Sequence, residues 1–344
     1  MVGCRTGAAN RLTKNYLWFA EKRGVRIIAE QEVVDVAPFG AADGSGGYRI
    51  VAARRAPGNH GKQSTFSARG VVFAGGTVAT NELLADCKQR GSLPGISNRL
   101  GDLVRTNSET VLGVVFPKDI ETVLGVVFPK DIETWRDVTA SSRLLLDGDT
   151  QVELLTSGPH ADSQLALFTM LTGKGSVPVR LAKWLSNVMS SPRDWRMTLQ
   201  RSGSSARTLQ MLVMQPRDNA IRFRAKKRRS GGYRLVTQTD PERPAPTYLE
   251  VGHRAASRVA EMTGGVALSS VFEAFGDIPQ TAHMLGGAAI GSDAGSGVIE
   301  RGLLVELLDR ISTGGHRPVD EAGPACDAVR HPGKPGAPTE TPVP

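Results

Sequence analysis

The chain of 344 residues is poor in cysteine, with three, and in aromatics, at 5%. Cys4, Cys87 and Cys326 are odd in number and unrelated in spacing. That argues against a disulfide framework and a structural zinc site; no metal is expected, and a reducing compartment suits the chain. No apolar run approaches the length that spans a bilayer, and Met1 to Gly7 has no leader-like apolar core. As it stands the chain reads as soluble and cytoplasmic, and a secretion leader would have to lie ahead of it. The formal charge is +8, and the densest basic run is Arg222 to Arg229, with a single aromatic, Phe223. A second basic stripe, zinc-finger spacing and a recognition-helix signature are all lacking. A solvated basic loop is therefore expected, with no nucleic-acid partner. The positive balance still suits an anionic membrane surface, met by peripheral contact, or an acidic ligand. Nothing here sets an oligomeric state.

What is present suffices for about two domains, with 40% hydrophobic residues to fill a core. Leu12, Tyr16, Phe19 and Ala20 recur at helical spacing and predict one apolar face. Strands are expected at Val25 to Ala29, Val33 to Val36 and Tyr48 to Ala53, the last two joined by the glycine-rich loop Gly40 to Gly47. Gly70 to Ala74 (GVVFA) runs into GGTVATNELL, the pattern of a buried parallel strand feeding a helix opened by Thr80 or Asn81. Such helix starts are anion sites, but the chain holds no GxGxxG. ETVLGVVFPKDI occurs twice without a mismatch, at Glu109 to Ile120 and Glu121 to Ile132. One copy is expected in a sheet and the other looped out, with strain or disorder there.

Further along, Glu153 lies inside the strand-like run QVELL, facing either water or a cavity. Leu181, Trp184, Leu185 and Val188 predict a core-facing helical stripe. Met211 to Met214, Ala220 to Arg224 and Tyr233 to Val236 read as antiparallel strands. Leu249 to Met262 reads as a helix whose Gly252, Ala255, Ala256, Val259 and Ala260 form a small-residue face. Pro318 to Pro344 holds seven prolines and should not pack. In TAHMLGGAAIG (Thr281 to Gly291), His283 stands before Gly286 and Gly287. Taken alone this is a glycine turn with a surface histidine, or a histidine placed to move a proton near neutral pH.

Five stretches in order, Cys4 to Gly24, Val71 to Leu84, Leu93 to Glu109, Met211 to Asn219 and Thr281 to Gly291, resemble the glucose-methanol-choline family of flavin oxidoreductases. Within it they are most similar to the cholesterol-oxidase-like subgroup, over about Met1 to Ile299. The resemblance implies a mixed α/β (α+β) fold, a partial FAD-binding Rossmann-like domain with an antiparallel-sheet substrate domain. It implies a division into 1–107 for FAD, 108–282 for substrate, 283–300 returning to the FAD domain, and a divergent, disordered tail at 301–344. Implied activity is FAD-dependent oxidation of a sterol or similar secondary alcohol. His283 in HMLGG matches the family's base, and Glu153 falls where the subgroup carries a base for the steroid double-bond shift. Val33, Gly75, Gly76, Asn81, Gly286 and Gly287 match cofactor contacts. Two family features are missing: the GxGxxG turn, and the asparagine of a GVNP-like segment, since none follows Asn219. An incomplete chain with impaired activity is therefore expected, and a remnant that binds no FAD is the alternative. A basic surface-binding protein is the remaining reading.

Overall fold

The computed structural model describes residues 11–56, 61–117, 140–158, 161–200, 202–229 and 232–300, with two short strand pieces between 117 and 140. Most of the second repeat copy, and the proline-rich stretch after 300, lie outside the described residues. Contacts divide the chain into two units, residues 1–96 with 100–288, and 97–99 with 289–344.

In the first unit, helix α1 (Tyr16–Lys22) follows a short 3-10 turn and has no buried residue. Its apolar side chains stay open, Tyr16 at 70% and Phe19 at 49% exposure, so the expected core face is not covered by any described element. No strand forms at Val25 to Ala29. β1 (Gln31–Pro38), β2 (Tyr48–Arg54) and β3 (Gln63–Ala68) make an antiparallel sheet, with a bulge between Val33 and Asp35. The residues expected as a buried parallel strand, Gly70 to Ala74, are irregular, and Val72 is 67% exposed. A parallel strand buries both faces between neighbours, and no described strand lies beside this one.

Helix α2 (Gly76–Arg90) starts earlier than Thr80 or Asn81, because Gly75 takes the capping position and Gly76 the left-handed φ of +79°. Then come β4 (Val104–Arg105) and β5 (Thr110–Val115), the first repeat copy, followed by β6 (Thr122–Val123) and β7 (Val126–Val127). β8 (Ala140–Leu146), β9 (Thr150–Leu155) and β10 (Phe168–Met170) precede helices α3 (Val177–Ser190), α4 (Pro192–Leu199) and α5 (Ser204–Arg207). β11 (Thr208–Met214), β12 (Ala220–Lys227), β13 (Tyr233–Thr239), α6 (Glu250–Thr263), β14 (Val266–Ser270) and α7 (Val271–Gly276) complete the unit.

Six strands form an antiparallel sheet in the order β10-β14-β5-β11-β9-β8, which puts β5 in its interior. Alternation sends Leu112, Val114, Val152, Met211 and Val213 to one face, where α6 closes the core. The small-residue face of α6 explains itself here: a Cβ on Gly252 would meet the Val213 side chain at 2.8 Å. The α3 stripe is rotated from expectation. Trp184 and Val188 pack inward, while Leu181 and Leu185 remain 45% and 48% exposed. The buried Arg180 takes the inner position instead, bonded to Glu273 O and Gly175 O.

The third sheet, β13-β12-β4, corrects the basic-loop reading. Arg222 to Lys227 is strand, because Ile221 and Phe223 are buried in its core. Arg222 and Arg224 pair with Asp240 and Asp102, and Arg228 with Glu82. In the second unit, β15 (Ile290–Gly291) and β16 (Ile299–Glu300) pair in parallel around a turn in which Asp293 accepts the Gly295 and Ser296 N–H groups.

Candidate functional site

His283 stands at the lip of the first unit with its side chain 56% exposed, and its ring is held from behind. Nδ1 lies 3.0 Å from Glu109 Oε2 and 3.1 Å from the Asn107 amide nitrogen. Glu109 precedes β5 and its side chain is only 2% exposed. The same Oε2 accepts the Ala282 N–H at 2.9 Å and faces the Thr281 hydroxyl at 3.3 Å. The Thr281 oxygen accepts the His283 N–H at 3.2 Å. One buried carboxylate thus organises three consecutive residues of the histidine turn.

The segment behind Glu109 is fixed in turn. Ser108 takes an uncommon left-handed conformation, φ +48°. Asn219, 1% exposed, donates to Ser108 Oγ at 2.6 Å and accepts from Thr106 Oγ1, so the end of MLVMQPRDN locks this bend. A cavity of about 560 Å³ opens beside it, lined by Glu109, Thr281, Ile221, Met284 and Gln280. The Gln280 Oε1 is buried with no hydrogen-bond partner among the described residues.

The glycine turn is packed against protein on one side. Asn81, 1% exposed, donates to Gly286 O at 3.1 Å and to Thr77 O at 2.8 Å. Thr77 Oγ1 donates to Met284 O at 2.8 Å. Gly286 and Gly287 have φ of +109° and +80°, and a Cβ on Gly287 would stand 2.5 Å from the Asn81 amide. The start of α2 and the HMLGG turn are therefore one assembly, and Asn81, Gly286 and Gly287 meet in it. The Asn81 Oδ1 is buried without a partner among the described residues.

Val33 and Gly75 share a second cavity, about 660 Å³, with Thr80, Arg55, Arg228 and Tyr233. The bulge beside Val33 releases Val34 from the β-ladder, and Arg90 Nη1 takes the Val34 carbonyl at 2.9 Å. A Cβ on Gly75 would make only ordinary contacts, and one on Gly76 would meet nothing within 4 Å, although its φ of +79° still favours glycine. Both glycines therefore leave open space at the start of α2, whose capping position makes no side-chain bond.

Glu153 stands apart. It pairs across β9 with Leu212 and Arg143, half-buried, on the face away from α6. Glu109 rises from that same face. Two strand spacings and two residue rises separate their backbones by roughly 12 Å. None of Glu109, Asn107 and Asn219 stands out in the sequence as a site residue, although all three lie in stretches that carry the resemblance. Glu109 lay in plain view in the repeat, but its partner is 174 residues away and no spacing announces the pair.

No family model matches the chain. It is 33% identical over 302 residues to a cholesterol oxidase of Acinetobacter baumannii, covering 87% of this chain and 52% of that protein. It is 34% identical over 304 residues to cholesterol oxidases of two Mycobacterium tuberculosis strains, CDC 1551 / Oshkosh and ATCC 25618 / H37Rv, covering 87% of this chain and 50% of each. The chain spans about half the length of the curated relatives it matches. These likenesses run through nearly all of the described fold, and by them the chain is related to the cholesterol oxidases.

Proposed function

We propose that the chain is the catalytic-base and substrate-side part of a flavin-dependent oxidation of a sterol or similar secondary alcohol. The observation that carries this is the half-exposed His283 ring backed by a buried carboxylate. That arrangement leaves one ring nitrogen free to take a hydroxyl proton while the other is anchored. The relatives' name points to a sterol, and the 560 Å³ cavity, lined by Glu109 and Thr281 although not by His283 or Glu153, has the size of a small-molecule site. On this reading residues 1–107 serve the cofactor, 108–282 the substrate, and 283–300 return to the cofactor side. Val33, Gly75 and Gly76 would lie along FAD, where open space at the helix start suits a dinucleotide. Asn81, with an unpartnered buried oxygen, would approach it through the Gly286–Gly287 turn. Bound flavin would supply the hydride acceptor. His283 takes and holds the proton. Glu153, on the same sheet face, would serve as the base for a double-bond shift.

Purified chain should be yellow, or become so with added FAD, and a sterol alcohol should bleach it in wild type and not in His283→Gln. A colourless protein that ignores FAD would overturn the reading. It would favour a second one, a chain that keeps this fold without holding flavin, supported by the Gly70 to Ala74 segment, which has no strand beside it among the described residues.

A further inference from the structure

We infer that Glu109 is the positioning residue of His283: it selects the ring tautomer with hydrogen on Nδ1, so that Nε2 carries the lone pair. The inference rests on His283 as the proton acceptor, and its structural half stands without that. Nδ1 has two neighbours that demand opposite things. As a carboxylate, Glu109 only accepts, which requires hydrogen on Nδ1. The Asn107 amide nitrogen at 3.1 Å only donates, which requires a bare Nδ1 and puts the hydrogen on Nε2. In the second state the outward nitrogen is a donor and cannot act as a base.

Three facts decide for Glu109. A hydrogen bond to a charged acceptor is roughly twice as strong as one between neutral groups. The Glu109 side chain is 2% exposed, so losing a donor there is costly, whereas Asn107 is half-buried and its amide can turn. Finally, Glu109 also accepts from Ala282 N–H, which fixes it relative to the histidine backbone and leaves the ring little choice of angle. The Asn107 amide, turned end for end, then offers its oxygen toward the ring and its nitrogen toward Thr281.

The test is a long-range nitrogen–proton correlation spectrum of the full chain labelled with 15N-histidine. Six histidines are present, and the His283 signals are those lost in His283→Gln. Wild type should show a protonated Nδ1 and a bare Nε2 at neutral pH. Asn107→Ala should keep that pattern, and Glu109→Ala should exchange the two nitrogen shifts. A wild-type ring with hydrogen on Nε2, or an exchange in Asn107→Ala, overturns the inference even if Glu109→Ala does not fold. If the chain binds flavin, Glu109→Ala should lower the flavin-reduction rate by roughly 10²- to 10⁴-fold, the span of general-base catalysis, with substrate affinity nearly unchanged. The expected tautomer in a chain that never bleaches flavin would remove the proposed function and leave Glu109's role in the fold. The opposite tautomer in a chain whose bleaching needs His283 would remove the role of Glu109 and leave the function.

Discussion

Glu273 sits on the far side of β5 from His283 and carries a second carboxylate–histidine pair. Its Oε1 meets His253 Nε2 at 2.6 Å, its Oε2 accepts Thr110 Oγ1 at 2.5 Å, and both side chains of the pair are under 5% exposed. Tyr248 packs on the His253 ring in a tilted arrangement, with centroids 4.3 Å apart. Removing one member of such a pair strands the other away from water. Glu273→Ala should therefore cost about 3–5 kcal/mol, read as a shift in urea midpoint, and Thr110→Val only about 1 kcal/mol. Equal small effects would mean that water reaches the pair. At this scale the sequence was legible where a residue stood next to its own context, as His283 does beside its glycines. It was silent on Glu109 and Glu273, because each finds its partner through tertiary contact, across 174 and 20 residues.

Among the elements, the union of α2 with the histidine turn has the sharpest consequence. Gly287 already has a left-handed φ, and the Asn81 amide fills the space where a side chain would grow. Gly287→Ala should destabilise the fold by about 1–3 kcal/mol. Gly75→Ala, at an ordinary φ with only ordinary contacts, should stay within roughly ±0.5 kcal/mol in the same denaturation assay. If Gly75 lies along FAD, that variant should keep its fold and lose flavin affinity; undiminished affinity would take Gly75 out of the cofactor site. The hairpin β1-β2 and helix α6 were readable because local pattern and burial agree there. Gly70 to Ala74 was misread as strand, since an apolar run states a preference and a strand also needs neighbours. Ala220 to Arg224 was readable as strand from the alternation of Ile221 and Phe223, but its continuation to Lys227 was misread as loop because the run of charges hid it.

For the molecule as a whole, acid should be the weak side. Four aspartates are held below the ordinary carboxylate range. The Ser45 N–H does this for Asp43, the Ser205 N–H for Asp162 and the Ser292 hydroxyl for Asp293. For Asp240, burial pulls upward, but the Arg222 hydrogen bonds and the Glu242 N–H outweigh it. Groups with lowered folded values bind fewer protons folded than unfolded near their ordinary value of 3.8. Their contribution is complete above that pH and is lost as the pH falls below it. Urea midpoints should hold between pH 7 and 5 and decline below 4, and Asp162→Ala should soften the decline. A flat profile down to pH 3 would contradict this. The mixed fold class was legible at this scale because hydrophobic period is, whereas the order of strands in the central sheet is set by pairing that no local window contains.

Strand β5 also bears on motion. Glu109 and Thr110 are consecutive, one fastened to the His283 turn and the other to the buried Glu273–His253 pair, at the start of β5, where β11 flanks Thr110 and β14 joins from Leu112 onward. The anchor of an exposed histidine is therefore the chain neighbour of a residue tied into the buried side of the sheet. Amide exchange should be slower along β5 than in the histidine turn, so the turn can fluctuate on the surface while the carboxylate it returns to keeps its place.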